Sequence, residues 1–415
     1  MEQMFKKNYK YSLHFMIWIG VAVIMGVAGG AIGSLFHYYI EVVTEFRMEH
    51  TQLLYFLPLA GISIVFIYHR AGVRQDPGTN LILESTNRDS KVPLRLMPLI
   101  IASTILTHLF GGSAGREGAA LQVGGCIGSN LGELFRFNDE DKRVTVLCGM
   151  SAVFSAMFGT PVAATVFSME VVRVGTLQYS AFVPCILGAV IAQYMAQIMG
   201  AHDAIYTVEL VYDIDPATLI KIVILGVICG VVAMLFCVLM HKASHFMKHY
   251  FSNAYVRIVV GACIIILLST VLGTRDYNGA GTNIIELALS EKVIWYAFAL
   301  KMLYTAISIG SGFKGGEIVP TLFIGATLGN MLSPILGLPL GLSSAVGMIA
   351  VFCGAVNAPL TSILLGVELF GTSDIVVFAI ACAISYVTSG YFSLYSSQMI
   401  IQDKLRQKDI FMRAR

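Results

Sequence analysis

Long apolar runs alternate with short polar interruptions along the whole chain. The clearest runs cover residues 12–39, 177–199 and 218–240, and each is long enough to cross about 30 Å of hydrocarbon as a helix. Two shorter runs, 53–68 and 258–272, would cross only with help from their flanking residues. The pattern predicts an all-α protein that passes through a membrane several times.

Other apolar runs are too short to cross a membrane alone, because glycine, proline and polar residues interrupt them. They cover residues 119–135, 144–158, 161–172 and 321–332. Unsatisfied backbone groups are tolerated at membrane depth only inside protein or beside a water-filled cavity. We therefore expect these breaks to converge on an interior site and not to face lipid.

Three motifs of the first half reappear in the same order about two hundred positions later. The matched pairs are Gly112/Gly312, Gly115/Gly315, Glu117/Glu317, Gly125/Gly325, Asn130/Asn330, Gly78-Thr79-Asn80/Gly281-Thr282-Asn283, Pro161/Pro359 and Glu170/Glu368. This order predicts an internal duplication, with a first membrane repeat over 1–203 and a second over 204–415. The halves meet in the polar stretch 201–217. In membrane proteins, paired broken helices at corresponding positions indicate a binding site.

Glycines spaced four apart follow both breaks. They are Gly124, Gly128 and Gly132 in the first half, and Gly325 and Gly329 in the second. Such spacing predicts closely packed helices. Gly111, Gly112 and Gly115 precede the helix instead, and we interpret them as backbone exposed to a small ligand.

The composition is that of a membrane protein, and the net charge limits the kinds of partner that the protein can bind. Hydrophobic residues make up 56% of the chain and charged residues only 13%, whereas soluble domains are about a quarter charged. The net charge of +2 is too small to indicate a nucleic-acid partner. The first apolar run is too long for a signal-peptide core. Lys6, Lys7 and Lys10 precede it and the tail 403–415 is basic, which favours cytoplasmic termini and a plasma-membrane location.

The sequence gives little indication of metal or redox chemistry. Eight cysteines lie in apolar segments without CxxC pairs, so we interpret them as small buried hydrophobic residues. His241, His245 and His249 are spaced four apart beside two lysines, which is typical of a solvated helix end. We therefore expect neither a metal nor a cofactor.

The two glycine breaks have the chemistry of anion sites. Gly115-Arg116-Glu117-Gly118 and Gly315-Gly316-Glu317-Ile318 each place flexible backbone directly before a predicted helix. A helix N-terminus presents unpaired N–H groups and a partial positive charge, and it binds anions. The two Gly-Thr-Asn runs, at 78–80 and 281–283, add two more helix starts. If all of these ends meet at one point, they bind an anion without a lysine or arginine.

Two of the repeated glutamates sharpen this hypothesis. The carboxylate of Glu117 or Glu317 could occupy the anion site as a tethered substitute, and its protonation would release it. Ionisable groups within membranes are costly and usually functional. The alternative is that each glutamate caps its helix in partial solvent, and that Lys314 pairs with Glu317. We interpret Glu170 and Glu368 as structural or interfacial residues that face loops.

Four ordered motifs resemble the CLC family of chloride channels and transporters over essentially the whole membrane domain. GREGA at 115–119 resembles the family's GREGP signature, and GSGFKGGEIVP at 310–320 resembles its GxFxP signature. The run at 355–369 resembles the stretch that follows, and SLYSS at 393–397 resembles the segment with the pore tyrosine. The resemblance implies a homodimer with one pore per subunit, each pore built from inverted repeats.

The resemblance also implies roles for particular residues. Glu117 would be the gating glutamate, the amides of Ile318 and Val319 would line the central anion site, and the Tyr395 hydroxyl would donate to the anion. Taken alone, Tyr395 would equally be an aromatic residue of the membrane interface. From the breaks themselves, the anion-binding residues would further include Thr79, Asn80, Gly115, Arg116 and Gly118.

Departures from the family's signatures favour one branch. The run Asp76-Pro77-Gly78-Thr79-Asn80 has no clear match for the serine of the GSGIP signature, and Ala119 replaces the proline of GREGP. Val171 stands where proton-coupled members often have a second glutamate, and Glu317 lies beside the expected anion path. This combination resembles the fluoride-exporting branch. That branch usually has a threonine where this chain has Val319, so the internal proton route stays open.

The leading hypothesis is fluoride/proton antiport, with chloride channel or chloride/proton exchange as the alternative. The transported partners would be a halide and a proton. An intramembrane enzyme is disfavoured because the sequence has no HExxH or GxSxG motif. A cation or amino-acid transporter could use the same repeat architecture, but breaks that begin helices favour anions.

Overall fold

The computed structural model describes residues 2–73, 78–87, 92–201, 206 and 215–415. Over this part of the chain it contains sixteen α-helices, two 3-10 helices at Thr51–Phe56 and Tyr179–Ala181, and three short strands. The first eight α-helices are α1 Glu2–Glu49, α2 Leu57–Arg70, α3 Thr79–Asn87, α4 Leu96–Leu109, α5 Glu117–Leu134, α6 Asp139–Phe158, α7 Pro161–Glu170 and α8 Phe182–Ile198. The second eight are α9 Pro216–Tyr250, α10 Ala254–Leu272, α11 Thr282–Ser290, α12 Ala297–Ser311, α13 Ile318–Leu336, α14 Leu340–Val356, α15 Pro359–Phe370 and α16 Ile375–Thr388.

Six helical segments of the described chain are long and apolar enough to cross a membrane. They are His14–Glu49, Thr51–Arg70, Tyr179–Ile198, Pro216–Tyr250, Ala254–Leu272 and Ile318–Leu336. Each of the five apolar runs predicted to cross overlaps one of these segments, so that prediction is confirmed. The run 321–332 was expected to be too short, and this was wrong. Helix α13 has 19 residues because it starts at Ile318 and accommodates Pro320 in its first turn, where no N–H is needed.

The two halves pack their central helices in the same way. A methyl group at Gly124 would collide with the carbonyl of Gly149, so α5 and α6 touch backbone to backbone. Gly325 makes the equivalent contact with Gly347, which joins α13 to α14. The close packing predicted from the glycine spacing is confirmed. The proposed boundary between 203 and 204 lies outside the described residues.

The repeated asparagines fix equivalent loops in each half. The Asn130 side-chain amide donates to the carbonyls of Cys126 (2.7 Å) and Val92 (2.9 Å). The Asn330 side-chain amide donates to the carbonyls of Ala288 (2.7 Å) and Glu291 (2.8 Å). Each asparagine therefore holds the loop between the short third helix of its half and the helix that follows. The two repeated asparagines thus make similar contacts in the two halves.

Glu170 and Glu368 link the halves through two short helices, α7 and α15. The Glu170 carboxylate accepts the backbone N–H of Thr361 at 2.9 Å and of Leu360 at 3.2 Å, at the start of α15. The Glu368 carboxylate reciprocates at the start of α7, where it accepts N–H groups of residues 162 and 163 at 3.0 and 2.8 Å. Both are therefore structural residues, as interpreted from the sequence, but they cap helices and do not face loops. First-turn N–H groups lack helical acceptors, and a carboxylate satisfies them.

The chain ends in a small sheet that an all-α prediction did not anticipate. Strand β1 (Arg173–Val174) pairs in parallel with β2 (Met399–Gln402), and β2 pairs antiparallel with β3 (Asp409–Arg413). In the β2–β3 connection, Lys404 donates to the Asn357 side chain (2.6 Å) and to the Tyr386 carbonyl (2.5 Å). These contacts hold the C-terminal segment against the ends of α14 and α16.

Candidate functional site

Two backbone hydrogen bonds join the glycine breaks of the two halves. The Gly115 N–H donates to the Gly316 carbonyl at 2.7 Å, and the Gly316 N–H donates to the Gly115 carbonyl at 2.6 Å. Helix α5 begins at Glu117 and helix α13 at Ile318, directly after this bridge. The N-termini of both helices therefore meet at one buried point, as the sequence predicted.

The bridge requires glycine because the two backbones touch. A Cβ on Gly118 would lie 2.8 Å from the Gly316 Cα, and a Cβ on Gly316 would collide with the Gly118 nitrogen. Real Cβ atoms do not tolerate such distances, so no side chain fits at either position. We refer to Gly115, Gly118 and Gly316 as the glycine junction. It combines the positive ends of two helices with almost no side-chain bulk.

Glu117 lies at the glycine junction and is 2% exposed. Its Oε2 accepts the backbone N–H of Arg116 at 2.9 Å, and its Oε1 is 3.5 Å from the Arg116 Nε. A Cβ on Gly115 would be 2.8 Å from the same Oε2, so the carboxylate fills the space that this glycine leaves empty. Glu117 thus lies folded back on the helix start that an anion would occupy.

Glu317 faces the same junction from the other half. Its Oε2 is 3.1 Å from the position that a Gly118 Cβ would take. That oxygen is shielded from solvent and has no hydrogen-bond partner among the described residues. The Lys314 ammonium, the alternative partner, lies 4.7 Å from the centroid of the Tyr68 ring and does not hydrogen-bond to this oxygen. Two carboxyl groups therefore share one small, largely dehydrated space.

Tyr395 is buried in the interior. It is 1% exposed, and its hydroxyl has no hydrogen-bond partner among the described residues. The Ser397 N–H donates to the Asn80 side chain at 2.9 Å, which ties the Tyr395 segment to the start of α3. Placing Tyr395 at the membrane interface would be wrong, because the ring is buried.

The first Gly-Thr-Asn run lies beside the glycine junction. The Thr79 hydroxyl donates to the Gly118 carbonyl at 3.4 Å. The Gln122 side-chain amide donates to the same carbonyl at 3.1 Å and lies 3.4 Å from the Thr79 hydroxyl. Sequence reasoning missed Gln122, although its position four residues after Gly118 places it on the same face of α5. Asp76 and Pro77 lie outside the described residues.

The second Gly-Thr-Asn run does not reach the junction, so the expectation that all four helix starts meet was wrong. Thr282 and Asn283 are exposed. A Cβ on Gly281 would be 2.7 Å from the Phe323 ring, so this helix start packs against α13. The fully buried Lys301 ammonium donates to the carbonyls of Gly279 (2.7 Å) and Tyr277 (3.2 Å) on the same side. Only three helix starts of the described chain gather at the site.

Ile318 and Val319 form the first turn of α13, and both are buried. First-turn amides have no acceptor within their helix, so these two N–H groups are available to a ligand. The placement fits the role that the family resemblance implies.

The cysteines form no disulfide within the described chain. All eight cysteines are free; Cys263 is exposed, and the other seven are buried as predicted. Cys263 lies on an open face of α10, where an apolar residue can contact lipid. The described ranges contain no group of three or more histidine, cysteine, aspartate or glutamate side chains arranged to hold a metal ion.

Comparisons with known proteins place this geometry in a family. The sequence profile of the family described as "Voltage gated chloride channel" matches residues 60–390. A chloride/fluoride channel protein of Pseudomonas syringae pv. tomato is 35% identical over 93% of this chain and 87% of its own length. The H(+)/Cl(-) exchange transporter ClcA of Vibrio vulnificus is 27% identical over 94% of this chain and 91% of its own.

Solved structures agree with the sequence comparison. The crystal structure of a CLC-type fluoride/proton antiporter superposes with a TM-score of 0.90 at 33% identity, covering 93% of this chain and 98% of that one. A slow cyanobacterial Cl-/H+ antiporter shares the fold with a TM-score of 0.77 at 21% identity, over 90% and 94% of the two chains. The chain belongs to the voltage-gated chloride channel, or CLC, family of membrane proteins.

Proposed function

We propose that this chain exchanges fluoride for protons across the membrane, with Glu117 as the gate. The observation that carries the proposal is the double hydrogen bond between Gly115 and Gly316. It brings two helix N-termini to one point, where a small anion would be bound by backbone amides and partial charges. Because such a site has no full positive charge, it binds the anion weakly enough to release it again.

Glu117 would compete with the anion for this place. In the present arrangement its carboxylate accepts the Arg116 N–H and fills the space above Gly115. A proton on Glu117 would remove the charge that holds the side chain at the helix start. The side chain would then swing away and leave the site to the anion, so that anion entry and proton uptake become alternating steps.

Fluoride is favoured over chloride by the small size and the donor set of the site. No Cβ fits at the glycine junction, and Glu317 contributes an oxygen that has no partner among the described residues. A protonated Glu317 could donate to fluoride, the halide that forms the strongest hydrogen bonds. The similarity to a chloride/fluoride channel protein and to a fluoride/proton antiporter supports the same substrate.

Anion selectivity and proton coupling can be measured together on purified protein in liposomes. Vesicles loaded with fluoride or with chloride are placed in anion-free buffer, and external anion and pH are recorded simultaneously. We expect fluoride to leave faster than chloride, with protons moving in the opposite direction. A chloride flux that exceeds the fluoride flux would refute the substrate, and fluoride flux without proton movement would refute the coupling.

We also propose a homodimer in the plasma membrane, with Glu117 and Glu317 forming one pathway in each subunit. Apolar side chains on α7, α8, α15 and α16 are exposed on the single chain, and they include Val162, Phe182, Tyr194, Leu360 and Val376. These residues would be shared between the partner subunit and lipid. Light scattering of the detergent-solubilised protein tests the dimer, and labelling of single cysteines near the termini in intact cells tests their cytoplasmic location.

A further inference from the structure

Helix α3 brings a helix start to the glycine junction although it has only nine residues. The hydroxyl of Thr79, its first residue, donates to the Gly118 carbonyl at 3.4 Å. Nearly one turn later, Ile82 packs so closely on α5 that a Cβ on Gly125 would collide with its side chain. Such a short helix gains little stability from its own hydrogen bonds, so its position depends on the tertiary contacts of both its faces.

The second face of α3 is polar and contacts the C-terminal sheet that β1, β2 and β3 form. Asn80, Glu84 and Asn87 recur at i, i+4 and i+7, the spacing that places side chains on one helical face. The Asn80 side-chain oxygen accepts the Ser397 N–H at 2.9 Å, just before β2. Oε1 of Glu84 accepts the Ser397 hydroxyl at 3.1 Å and lies 3.7 Å from Nη1 of Arg413 on β3. Two of the three polar residues therefore bind the segment before β2, and Glu84 reaches β3 as well.

Asn87 makes the third contact, and buried groups hold the sheet in place. Nε of Arg173 on β1 donates to the Asn87 side-chain oxygen at 3.0 Å. Gln398, directly before β2, is fully buried, and its side-chain amide donates to the carbonyls of Val171 and Val356, both at 2.8 Å. The segment that contacts α3 is thus anchored to the ends of α7 and α14.

The second Gly-Thr-Asn run offers an internal comparison, because α11 begins there as α3 begins at the first run. The α11 residues at the same three spacings are all exposed: Asn283, Leu287 and Ser290. The nearby glutamate, Glu286, comes one residue earlier than Glu84 does, which turns its side chain by about 100° around the helix. Thr282 is exposed and does not reach the junction. The helix with three polar contacts to the sheet reaches the junction, and the helix whose corresponding residues are exposed does not.

We infer that Glu84 is a positioning residue of the anion site, which holds α3 so that Thr79 lies at the glycine junction. Glu84 comes five residues after Thr79, about 7.5 Å further along the helix axis, and it acts through the helix. Asn80 shares this task through its hydrogen bond to the same segment. The inference deepens the proposed function and rests on it. Halide affinity should therefore depend on the contact between α3 and the C-terminal sheet.

Glu84→Leu is the first test, because it gives α3 the residue that α11 has at this position, Leu287. The variant removes the acceptor of the Ser397 hydroxyl and the partner of Arg413. We expect fluoride affinity to fall about threefold to tenfold, the effect of one lost hydrogen bond that supports the site. Calorimetric titration with fluoride measures the affinity, and thermal unfolding in detergent shows whether the variant is folded.

Two further variants serve as the conservative change and the matched control. Glu84→Gln keeps an acceptor for the Ser397 hydroxyl and loses only the ion pair with Arg413, which is partly exposed and contributes little. We therefore expect Glu84→Gln to retain most of the wild-type affinity. The control is Glu286→Leu, the same change at an exposed position of α11, and it should bind fluoride like the wild type.

A double variant shows whether Glu84 acts through Thr79. Thr79→Val removes the hydroxyl that Glu84 is inferred to position. Adding Glu84→Leu to Thr79→Val should then cause no further loss of affinity, because the two changes remove the same interaction. A role in stability alone would lower the midpoint of thermal unfolding and leave the affinity unchanged in both backgrounds.

Failure of this inference can be told apart from failure of the proposed substrate. Wild-type affinity in Glu84→Leu, or equal losses from Glu84→Leu in both backgrounds, would overturn the inference. An unchanged affinity in Thr79→Val alone would overturn it too, since Glu84 would then position no anion-binding group. If Glu84→Leu does not fold, Ser397→Ala removes the same hydrogen bond, and wild-type affinity in that variant would contradict the inference. If the wild type binds chloride but not fluoride, the proposed substrate fails, and the same titrations with chloride decide the inference.

Discussion

The two glycine breaks have a similar backbone arrangement but different side-chain surroundings. Glu117 is held by the N–H and the guanidinium of Arg116, whereas Glu317 has an oxygen without a partner among the described residues. Thr79 touches the junction in the first half, and its counterpart Thr282 is exposed in the second. The two breaks thus present two helix ends with unequal side chains, and we propose that the two carboxylates have different tasks.

The largest effect should come from disrupting the backbone contact between the two glycine breaks. In Gly316→Ala the new Cβ would collide with the Gly118 nitrogen, so the two breaks could not meet. We expect a loss of at least about 3 kcal/mol of stability, as for other severe overpacking and backbone strain. Thermal unfolding in detergent measures it. Gly20→Ala is the control, since a Cβ there meets nothing within 4 Å.

The two glutamates should respond unequally when each is neutralised. Glu117→Gln should reduce proton-coupled flux by about a hundredfold or more, the size expected when a group with a direct role in proton transfer is lost. Glu317→Gln keeps a hydrogen-bond donor at the junction, so fluoride should still bind. The coupling of fluoride to proton movement should weaken less than in Glu117→Gln. Vesicle flux with pH recording compares the two variants. Equal losses in both would show that the glutamates act as one unit.

Tyr395 is not among the repeated residues, so the first half offers no matched counterpart for it. Tyr395→Phe removes a buried hydroxyl that has no partner in the described chain, and folding should therefore be unaffected. If that hydroxyl donates to the anion, fluoride affinity should fall roughly tenfold, or about 1.4 kcal/mol. Calorimetric titration with fluoride measures the affinity. Tyr304→Phe serves as a control away from the junction, and an unchanged affinity in Tyr395→Phe would remove the tyrosine from the site.

The two repeated threonines should give the smallest difference. Thr79→Val removes the hydroxyl that donates to the Gly118 carbonyl, whereas Thr282→Val alters an exposed helix start. We expect a change of about threefold to tenfold in fluoride affinity for the first, within the range of one lost hydrogen bond, and none for the second. The same titration measures both. Equal effects would contradict the asymmetry of the two helix starts.

The sequence predicted the helices and their packing more fully than the side-chain contacts of the site. Repeated glycines and the apolar runs sufficed for the helices, for their close packing and for the meeting of the Glu117 and Glu317 breaks. The exposure of Thr282 could not be predicted, because it depends on how α11 packs against the rest of the chain. The reciprocal capping by Glu170 and Glu368 was hidden for the same reason: each carboxylate satisfies a helix about two hundred residues away.

Proton uptake on fluoride binding tests the central claim most directly. Fluoride is added to purified protein in weakly buffered detergent solution near neutral pH, and the change in pH is recorded. If fluoride displaces the Glu117 carboxylate from the helix ends and the freed carboxyl group takes a proton, about one proton per chain should leave the solution. Glu117→Gln should bind fluoride without that uptake. Fluoride binding to the wild type with no proton uptake, or with the same uptake in Glu117→Gln, would contradict the account.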